Sequence, residues 1–142
     1  MKRFHDKKIK QIEALMRQSG IRPTAQRLAI CRFVLCEADH PTADDVMAHM
    51  EKVFPIVSTA TVYNTLKMMV AHGLIRAIKF PHSDAAIYDQ NLHHHYHFLD
   101  EQTGRLYDVD PKQVQLEPSL ENQFHITDVD ILFRGRLQTP PN

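Results

Sequence analysis

Apolar residues recur at helical spacing through the first 73 residues, in four segments separated by residues that cap or break helices. The first segment ends at Gly20, and the second and third begin at Thr24 and Thr42. Asp45, three residues after Thr42, completes an acidic variant of the capping box. The stripe that we expect the third helix to bury consists of Val46, Met50, Val53 and Phe54. The pattern predicts four helices.

The fourth segment combines an apolar stripe with a polar face that could read DNA. The stripe repeats one and two turns apart, at Val62, Leu66, Met69 and Val70. We expect Ser58 or Thr59 to begin this helix and Gly73 to end it. Side chains that suit bases and phosphates occupy the other face: Thr61, Tyr63, Asn64 and Lys67. A recognition helix fits this pattern, although a plain amphipathic helix with a solvated face would look the same.

Strand-like segments follow the helices. Two of them, 74–80 and 85–89, flank a turn at Pro81-His82-Ser83-Asp84, and a hairpin after three helices is the order of a winged helix. Residues 93–109 alternate around a second turn, and 128–134 form a last strand. We therefore predict an α+β chain. A winged helix-turn-helix DNA-binding domain (1–88) precedes a small α/β dimerisation domain (89–142).

The net charge of zero hides a strong asymmetry along the chain. Residues 1–82 carry 13 Lys and Arg against 7 Asp and Glu, whereas residues 83–142 carry 4 against 10. A basic part followed by an acidic part suggests a polyanion as partner of the first and cations as partners of the second.

Several ordinary features narrow the class of protein. The sequence has no apolar run of 18 residues and its first residues are charged, which predicts a cytoplasmic protein without a membrane partner. Cys31 and Cys36 are about 140° apart around a helix and form no CxxC pair. They are predicted to be buried, reduced thiols.

The run His93-His94-His95-Tyr96-His97 is the strongest sign of chemistry. Side chains two apart in a strand share a face, so His95 and His97 can bind one ion together. Asp89 and Asp108 offer carboxylates on the strands before and after the run. Imidazole with carboxylate suits Fe(II), Mn(II) or Zn(II). A solvated patch of histidines is the alternative.

Three motifs resemble those of the ferric uptake regulator family. They are Ile21-Arg22-Pro23-Thr24-Ala25-Gln26-Arg27, His40-Pro41-Thr42-Ala43-Asp44-Asp45 and Ala60-Thr61-Val62-Tyr63-Asn64-Thr65-Leu66. Their order and spacing are more specific than a general helix-turn-helix pattern. The resemblance implies that Arg27 and Tyr63 lie at the DNA surface. An edge strand at 128–134 could pair across a two-fold axis, and such a homodimer would match a palindromic operator.

The same resemblance implies a regulatory metal site. Its ligands would be His40, Asp89, His95, His97 and Asp108. Since His40 belongs to the DNA-binding domain, a shared ion would clip the two domains together and favour the DNA-binding state. Fe(II) or Mn(II) is the expected cofactor, with Zn(II) able to bind in vitro.

Other metal sites of the family are expected to be missing. Members often hold a structural zinc through two CxxC pairs, but the first pair's positions are Asp100 and Thr103, and residues 133–142 contain no cysteine. We therefore expect no structural zinc. A second regulatory site is also doubtful because Val129 stands where the family often has a histidine. We expect three further histidines not to bind metal: His93, His94 and His125.

Aspartate at position 108 resembles the peroxide-sensing subgroup, whereas glutamate there is typical of iron-sensing members. The resemblance implies a repressor, not an enzyme, that responds to hydrogen peroxide when Fe(II) promotes oxidation of His40 or His95. A regulator that uses iron, zinc or manganese as co-repressor is the main alternative. A second alternative is a small non-haem iron oxygenase, whose metal site needs only two histidines and one carboxylate. A winged helix without metal regulation is the remaining alternative.

Overall fold

The computed structural model describes residues 9–81, 83–116 and 118–138. Two compact units make up the chain, the first ending at Leu92 and the second beginning at His93. His82 of the predicted wing turn and residues 139–142 of the tail lie outside the described residues. The predicted domain boundary at 88/89 stays a prediction, although Asp89 is here the last residue of a strand in the first unit.

Four helices and a hairpin form the first unit. The helices are α1 (Ile9–Gln18), α2 (Ala25–Arg32), α3 (Ala43–Val53) and α4 (Thr59–Ala71), and a π-helical segment, Phe33–Glu37, continues α2. The strands are β1 (Arg76–Ile78) and β2 (Ile87–Asp89), which pair antiparallel. This order confirms the predicted winged helix. No helix among the described residues combines the length and the apolar character needed to cross a bilayer.

The helices begin at the predicted caps. Thr42 Oγ1 accepts from the N–H of Asp45 (3.1 Å), and Asp45 Oδ2 accepts from the N–H of Thr42 (2.9 Å), which completes the capping box. Thr24 caps α2 by accepting from the N–H of Arg27, and Ser58, not Thr59, caps α4 by accepting from the N–H of Thr61. Because these side chains satisfy N–H groups that the helix cannot, they fix where each helix starts.

The core of the first unit is built from the predicted apolar stripes. Its most completely buried side chains include Ile12, Met16, Val46, Met50, Val62, Leu66 and Met69. The prediction for Val53 is wrong: its side chain is 50% exposed. Val53 ends α3 and lines an open surface groove with Phe33 and Phe54, so it has no closed core to enter.

Both cysteines are buried, as predicted. Burial raises the pKa of the Cys31 thiol to about 12, and the guanidinium of Arg27 lowers it only in part. A thiol with this pKa is protonated at neutral pH, and the thiolate is the reactive form. Cys31 is therefore a packing residue rather than a redox centre.

Two backbone contacts tie the loop before α3 to the second strand of the hairpin. The N–H of Tyr88 donates to the carbonyl of Pro41 (2.8 Å), and Thr42 forms an isolated bridge with Ile87. Both strands are shorter than predicted. β1 starts late because the N–H of Leu74 still donates to the carbonyl of Met69 and thereby closes the end of α4. These contacts bring the segment at position 40 next to the end of β2.

The second unit contains a three-stranded sheet. Its strands are β3 (Tyr96–Asp100), β4 (Leu106–Val109) and β5 (Leu132–Gly135), in the order β4-β3-β5. β3 pairs antiparallel with β4, which places His97 opposite Asp108, and parallel with β5. Short 3₁₀ turns occupy Pro111–Gln113 and Pro118–Asn122. The last strand is shorter than predicted, as the carboxylate of Asp128 accepts from the N–H of Val129 in a loop.

The β3–β4 turn is closed by the side chain of Asp100. Its carboxylate accepts from the hydroxyl of Thr103 (2.7 Å) and from the N–H of Gln102 (3.0 Å), and its carbonyl accepts from the N–H of Gly104 (2.7 Å). Gly104 has φ 77°, the left-handed conformation that glycine adopts without strain. The turn fixes the register of the hairpin, and a slip of one residue would move Asp108 to the other face.

We expect the Asp100 carboxylate to make the stability of the second unit depend on acid. The hydroxyl of Thr103 lowers the pKa of this carboxyl most, burial opposes the shift, and the N–H groups of Gln102 and Thr103 lower the pKa further. A folded-state pKa below the unfolded one contributes stability above the unfolded pKa, which is lost as pH falls through the folded value. Asp100→Asn should therefore lower the free energy of unfolding at pH 7.

Urea denaturation followed by circular dichroism, with metal removed by chelator, measures this effect across pH. The gap between the wild-type protein and Asp100→Asn should close as pH falls below the ordinary range for aspartate, about 3.9. Glu101→Gln, which alters the exposed carboxylate next to it, should change little. A gap of the same size at pH 7 and pH 3 would contradict this account.

Candidate metal centre

The first unit brings His40 and Asp89 together, and we call them the first-unit pair. Nε2 of His40 lies 3.8 Å from Oδ2 of Asp89, and both side chains are nearly buried. The other carboxylate oxygen, Oδ1, accepts from the N–H of Asn91 (2.9 Å). His40 has φ 48°, an uncommon backbone conformation for a residue other than glycine. The wing contact between Tyr88 and Pro41 accounts for the proximity of the pair.

The second unit brings His95, His97 and Asp108 together, and we call them the second-unit triad. The two Nε2 atoms of the histidines are 3.1 Å apart. Oδ1 of Asp108 lies 3.6 Å from Nε2 of His95 and 3.7 Å from Nε2 of His97. The cross-strand pairing of His97 with Asp108 explains this geometry. His95 precedes β3, so the histidine run is strand only from Tyr96 onward.

The donor atoms of the pair and the triad fit a divalent ion of the first transition row. Metal bonds of about 2.0–2.2 Å place ligand atoms roughly 3–4 Å apart, and the separations within each group are 3.1–3.8 Å. Nδ1 of His95 lies 2.5 Å from the carbonyl of His93, which can only accept a hydrogen bond. In the neutral ring of His95 the proton is therefore on Nδ1, and the lone pair is on Nε2. The donors are imidazole and carboxylate without thiolate, which suits Fe(II), Mn(II) or Zn(II).

The other histidines of the sequence have different surroundings. His93 and His94 are exposed, and the ring of His94 packs edge-on against Tyr96 with centroids 5.1 Å apart. His94 and His125 line a cavity of about 620 Å³ whose wall includes Phe124 and Val129. That these histidines do not bind metal stays a prediction.

Two features of the site escaped the sequence analysis. Nδ1 of His40 lies 2.8 Å from Oδ1 of Asp39, so the carboxylate next to a predicted ligand contacts its ring. Asp100 and Thr103, which replace a cysteine pair, hydrogen-bond to each other. An acidic residue next to a histidine is common in sequences, so the sequence alone did not indicate the contact between Asp39 and His40. The spacing of the second was visible, but its hydrogen bond was not. The absence of a structural zinc stays a prediction.

The predicted DNA-contacting face of α4 is accessible. Tyr63, Asn64 and Lys67 are exposed, and Thr61 is partly exposed. Burial raises the pKa of Tyr88, and the phenol of Tyr63 raises it further. Arg27 is half-buried, and its guanidinium donates to the carbonyl of Arg22 (3.2 Å).

A sequence model described as the ferric uptake regulator family matches residues 18–134. The chain belongs to this family. Its members are metal-responsive, DNA-binding transcription regulators, and the match spans the winged helix and both groups of candidate ligands. The family relationship confirms the resemblance seen in the three sequence motifs.

Relatives of the regulator include peroxide-responsive and metal-uptake proteins. The chain is 37% identical over 118 residues to the peroxide-responsive repressor PerR of Staphylococcus aureus, covering 83% of this chain and 78% of that protein. A solved zinc-bound manganese uptake regulator is 27% identical, with a TM-score of 0.70 over 89% of this chain and 98% of the other. PerR from Streptococcus pyogenes, solved in a study of peroxide sensing and gene regulation, is 27% identical with a TM-score of 0.53, covering 92% and 90%.

We expect Asp108→Asn to weaken Mn(II) binding by more than about ten-fold, because even an outer-shell partner of a metal ligand contributes about 10–100-fold. An amide keeps the size of the carboxylate but removes the negative charge that faces His95 and His97. Calorimetric titration of the metal-free protein measures the affinity. Asp110→Asn is the matched control, since Asp110 is exposed and asparagine preserves its capping bond to Lys112. Equal affinities of the two variants would exclude Asp108 as a ligand.

Proposed function

We propose that this regulator is a peroxide-responsive repressor and that the first-unit pair and the second-unit triad bind one Fe(II) or Mn(II) ion together. The observation that carries the proposal is the convergence of donor atoms within each group, at 3.1–3.8 Å. The two groups contain five donors, whereas neither group alone completes a coordination shell. Aspartate supplies both carboxylates, and PerR of Staphylococcus aureus is among the relatives.

The shared ion would make DNA binding depend on metal. A ligand shifts a conformational equilibrium only by its difference in affinity for the two states. An ion that takes ligands from both units binds most tightly to the conformation in which the first-unit pair and the second-unit triad can both coordinate it. Under this proposal, that conformation is the one competent for DNA. Because histidine must lose its proton to coordinate, acid should weaken the site.

Peroxide would act through the histidines. A bound Fe(II) would activate hydrogen peroxide next to imidazole rings: one peroxide oxygen would add to a ring carbon, the other would leave as water, and the ring would be the net source of the two electrons. His40 and His95 are the rings that we expect to be oxidised, one in the pair and one in the triad. An oxidised ring is a poorer donor, so the metal dissociates and the repressor leaves its operator. The thiol of Cys31 is not an alternative sensor, since its raised pKa keeps it protonated.

DNA recognition is assigned to the exposed face of α4. Tyr63, Asn64 and Lys67 would enter the major groove or contact phosphates, and Thr61 and Arg27 would support them. Family members are DNA-binding dimers. We propose that this chain binds a palindromic operator as a homodimer, in the cytoplasm.

A metal-uptake regulator is the second candidate function. The zinc-bound manganese uptake regulator resembles this chain over 98% of its own length, and the same donors would accept Mn(II) or Zn(II). In that case the ion itself would be the signal, and peroxide would leave operator binding unchanged.

Peroxide treatment of the Fe(II)-loaded protein separates the two functions. We expect one oxygen atom to be added to His40 or His95 and operator binding to be lost, while the Mn(II)-loaded protein stays bound. Tryptic peptide 33–52 contains His40 together with Cys36, Met47 and Met50, so fragment sequencing must locate the oxygen. His49 on the same peptide and His94 beside His95 are internal controls.

Two results would oppose the peroxide proposal. Oxygen found only on sulfur, with both histidines unchanged, would remove its chemical basis. Retention of operator binding by the peroxide-treated Fe(II) form would favour the metal-uptake regulator.

We expect Lys67→Ala to weaken operator binding and to lower the steepness of log affinity against log salt by about 2, because a homodimer loses one phosphate contact from each of its two protomers. Lys67 is exposed on α4. Fluorescence anisotropy at several salt concentrations measures the slope, using a duplex that the Mn(II)-loaded wild-type protein selects from random DNA. Lys112→Ala removes the same charge from an exposed site in the second unit and should leave the slope unchanged. An unchanged slope for Lys67→Ala would remove this residue from the DNA surface.

A further inference from the structure

The carboxylate of Asp39 contacts the ring of His40 on the side away from Asp89. Oδ1 of Asp39 is 2.8 Å from Nδ1 of His40, whereas Nε2 of the same ring is the atom nearest to Asp89. The side chain of His40 is 8% exposed and that of Asp39 is 35% exposed. The ring therefore lies between two carboxylates that contact different nitrogen atoms.

This contact determines which nitrogen carries the proton in the neutral ring. A carboxylate can only accept, so the hydrogen bond requires a proton on Nδ1 of His40. The lone pair of the neutral ring is then on Nε2, the atom that lies 3.8 Å from Oδ2 of Asp89. Free imidazole side chains exchange between the two forms, so the contact selects the form that can bind a metal through Nε2.

The backbone restricts His40 as well. Its φ of 48° is uncommon for a side-chain-bearing residue, and the next residue, Pro41, is anchored by the N–H of Tyr88. Helix capping does not explain the position of Asp39, because Thr42 and Asp45 form the capping box of α3. The main chain thus fixes the base of the side chain, and Asp39 fixes the ring.

The two histidines expected to be oxidised differ in this respect. Nδ1 of His95 donates to a neutral carbonyl, that of His93, whereas Nδ1 of His40 donates to a carboxylate. Charge-assisted hydrogen bonds are stronger than neutral ones, and a carboxylate partner raises the basicity of a ligating imidazole. His40 should be the more rigid ring and the stronger donor.

We propose that Asp39 is a positioning residue that holds His40 in its Nδ1–H form and strengthens Nε2 as a donor to a divalent ion. The selection of the ring form stands on the first unit alone. The effect on the ion rests on the proposed function. The experiment therefore has one measurement that needs no metal and one that does.

Nitrogen NMR of the histidine side chains in the metal-free full-length protein tests the ring form. The signals of His40 are identified by their loss in His40→Asn. In the wild-type protein we expect the proton on Nδ1, and in Asp39→Ala we expect a shift toward the Nε2–H form. Asp39→Asn keeps an oxygen acceptor and should preserve the Nδ1–H form. Asp44→Ala removes an exposed carboxylate from the same segment and should have no effect.

Mn(II) titration of the same proteins tests the effect on the ion. Asp39→Ala should lower the affinity by about ten-fold or more, as for other outer-shell partners of metal ligands. Asp39→Asn should give an intermediate loss, because it restores the ring form but not the negative charge. The Asp44→Ala control should match the wild-type protein. Circular dichroism checks that each variant is folded. If Asp39→Ala is not, the ring form of the wild-type protein and the Mn(II) affinity of Asp39→Asn carry the test.

The outcomes distinguish this proposal from the function on which it partly rests. A wild-type His40 with its proton on Nε2, or a ring form unchanged in Asp39→Ala, would overturn the role of Asp39. An altered ring form with unchanged Mn(II) affinity would overturn its effect on the ion. Failure of the wild-type protein to bind Mn(II) would refute the metal function and leave the first measurement valid.

Discussion

The hydrogen bond from Tyr88 to the carbonyl of Pro41 is the contact on which the first-unit pair, His40 and Asp89, depends. Position 40 and position 89 are far apart in sequence, and this bond, with the bridge between Thr42 and Ile87, joins their backbones. Tyr88 is also buried in the core against which α4 packs. One short strand thus carries a metal-ligand candidate, Asp89, and a core residue, Tyr88. Any change at Asp89 therefore acts on a strand that also contributes to the core of the first unit.

Pairing register plays the equivalent role in the second unit. His97 and Asp108 face each other because β3 and β4 align Tyr96 with Val109 and Leu99 with Leu106. Side chains alternate between faces, so this alignment alone decides whether the carboxylate reaches the imidazoles. Asp100, at the end of β3, limits the alignments open to the hairpin. The β3–β4 turn therefore helps to determine the geometry of the second-unit triad, which lies several residues away along the chain.

Local signals in the sequence predicted the helices well, because caps and apolar stripes act within a few residues. The capping box at Thr42 and the buried face of α4 are examples. Strand ends were less predictable, since Leu74 belongs to the closing turn of α4 rather than to β1. The exposure of Val53 depends on where the core ends, and the spacing of apolar residues in the sequence does not show this. Of the site, the ligand candidates were visible through alternation and family resemblance. The contact of Asp39 with His40 depends on the unusual backbone at position 40 and was not visible.

The hydrogen bond between Asp100 and Thr103 has a consequence for how the protein is made. Both partners are present as soon as this stretch of chain has been synthesised, so the hairpin can close without waiting for an ion to be delivered. A hairpin closed by cysteine ligands of a zinc ion would instead compete for zinc with every other zinc protein during biosynthesis. Closure of the β3–β4 turn by these two side chains needs no metal, so this step of folding does not depend on the supply of metal in the growth medium.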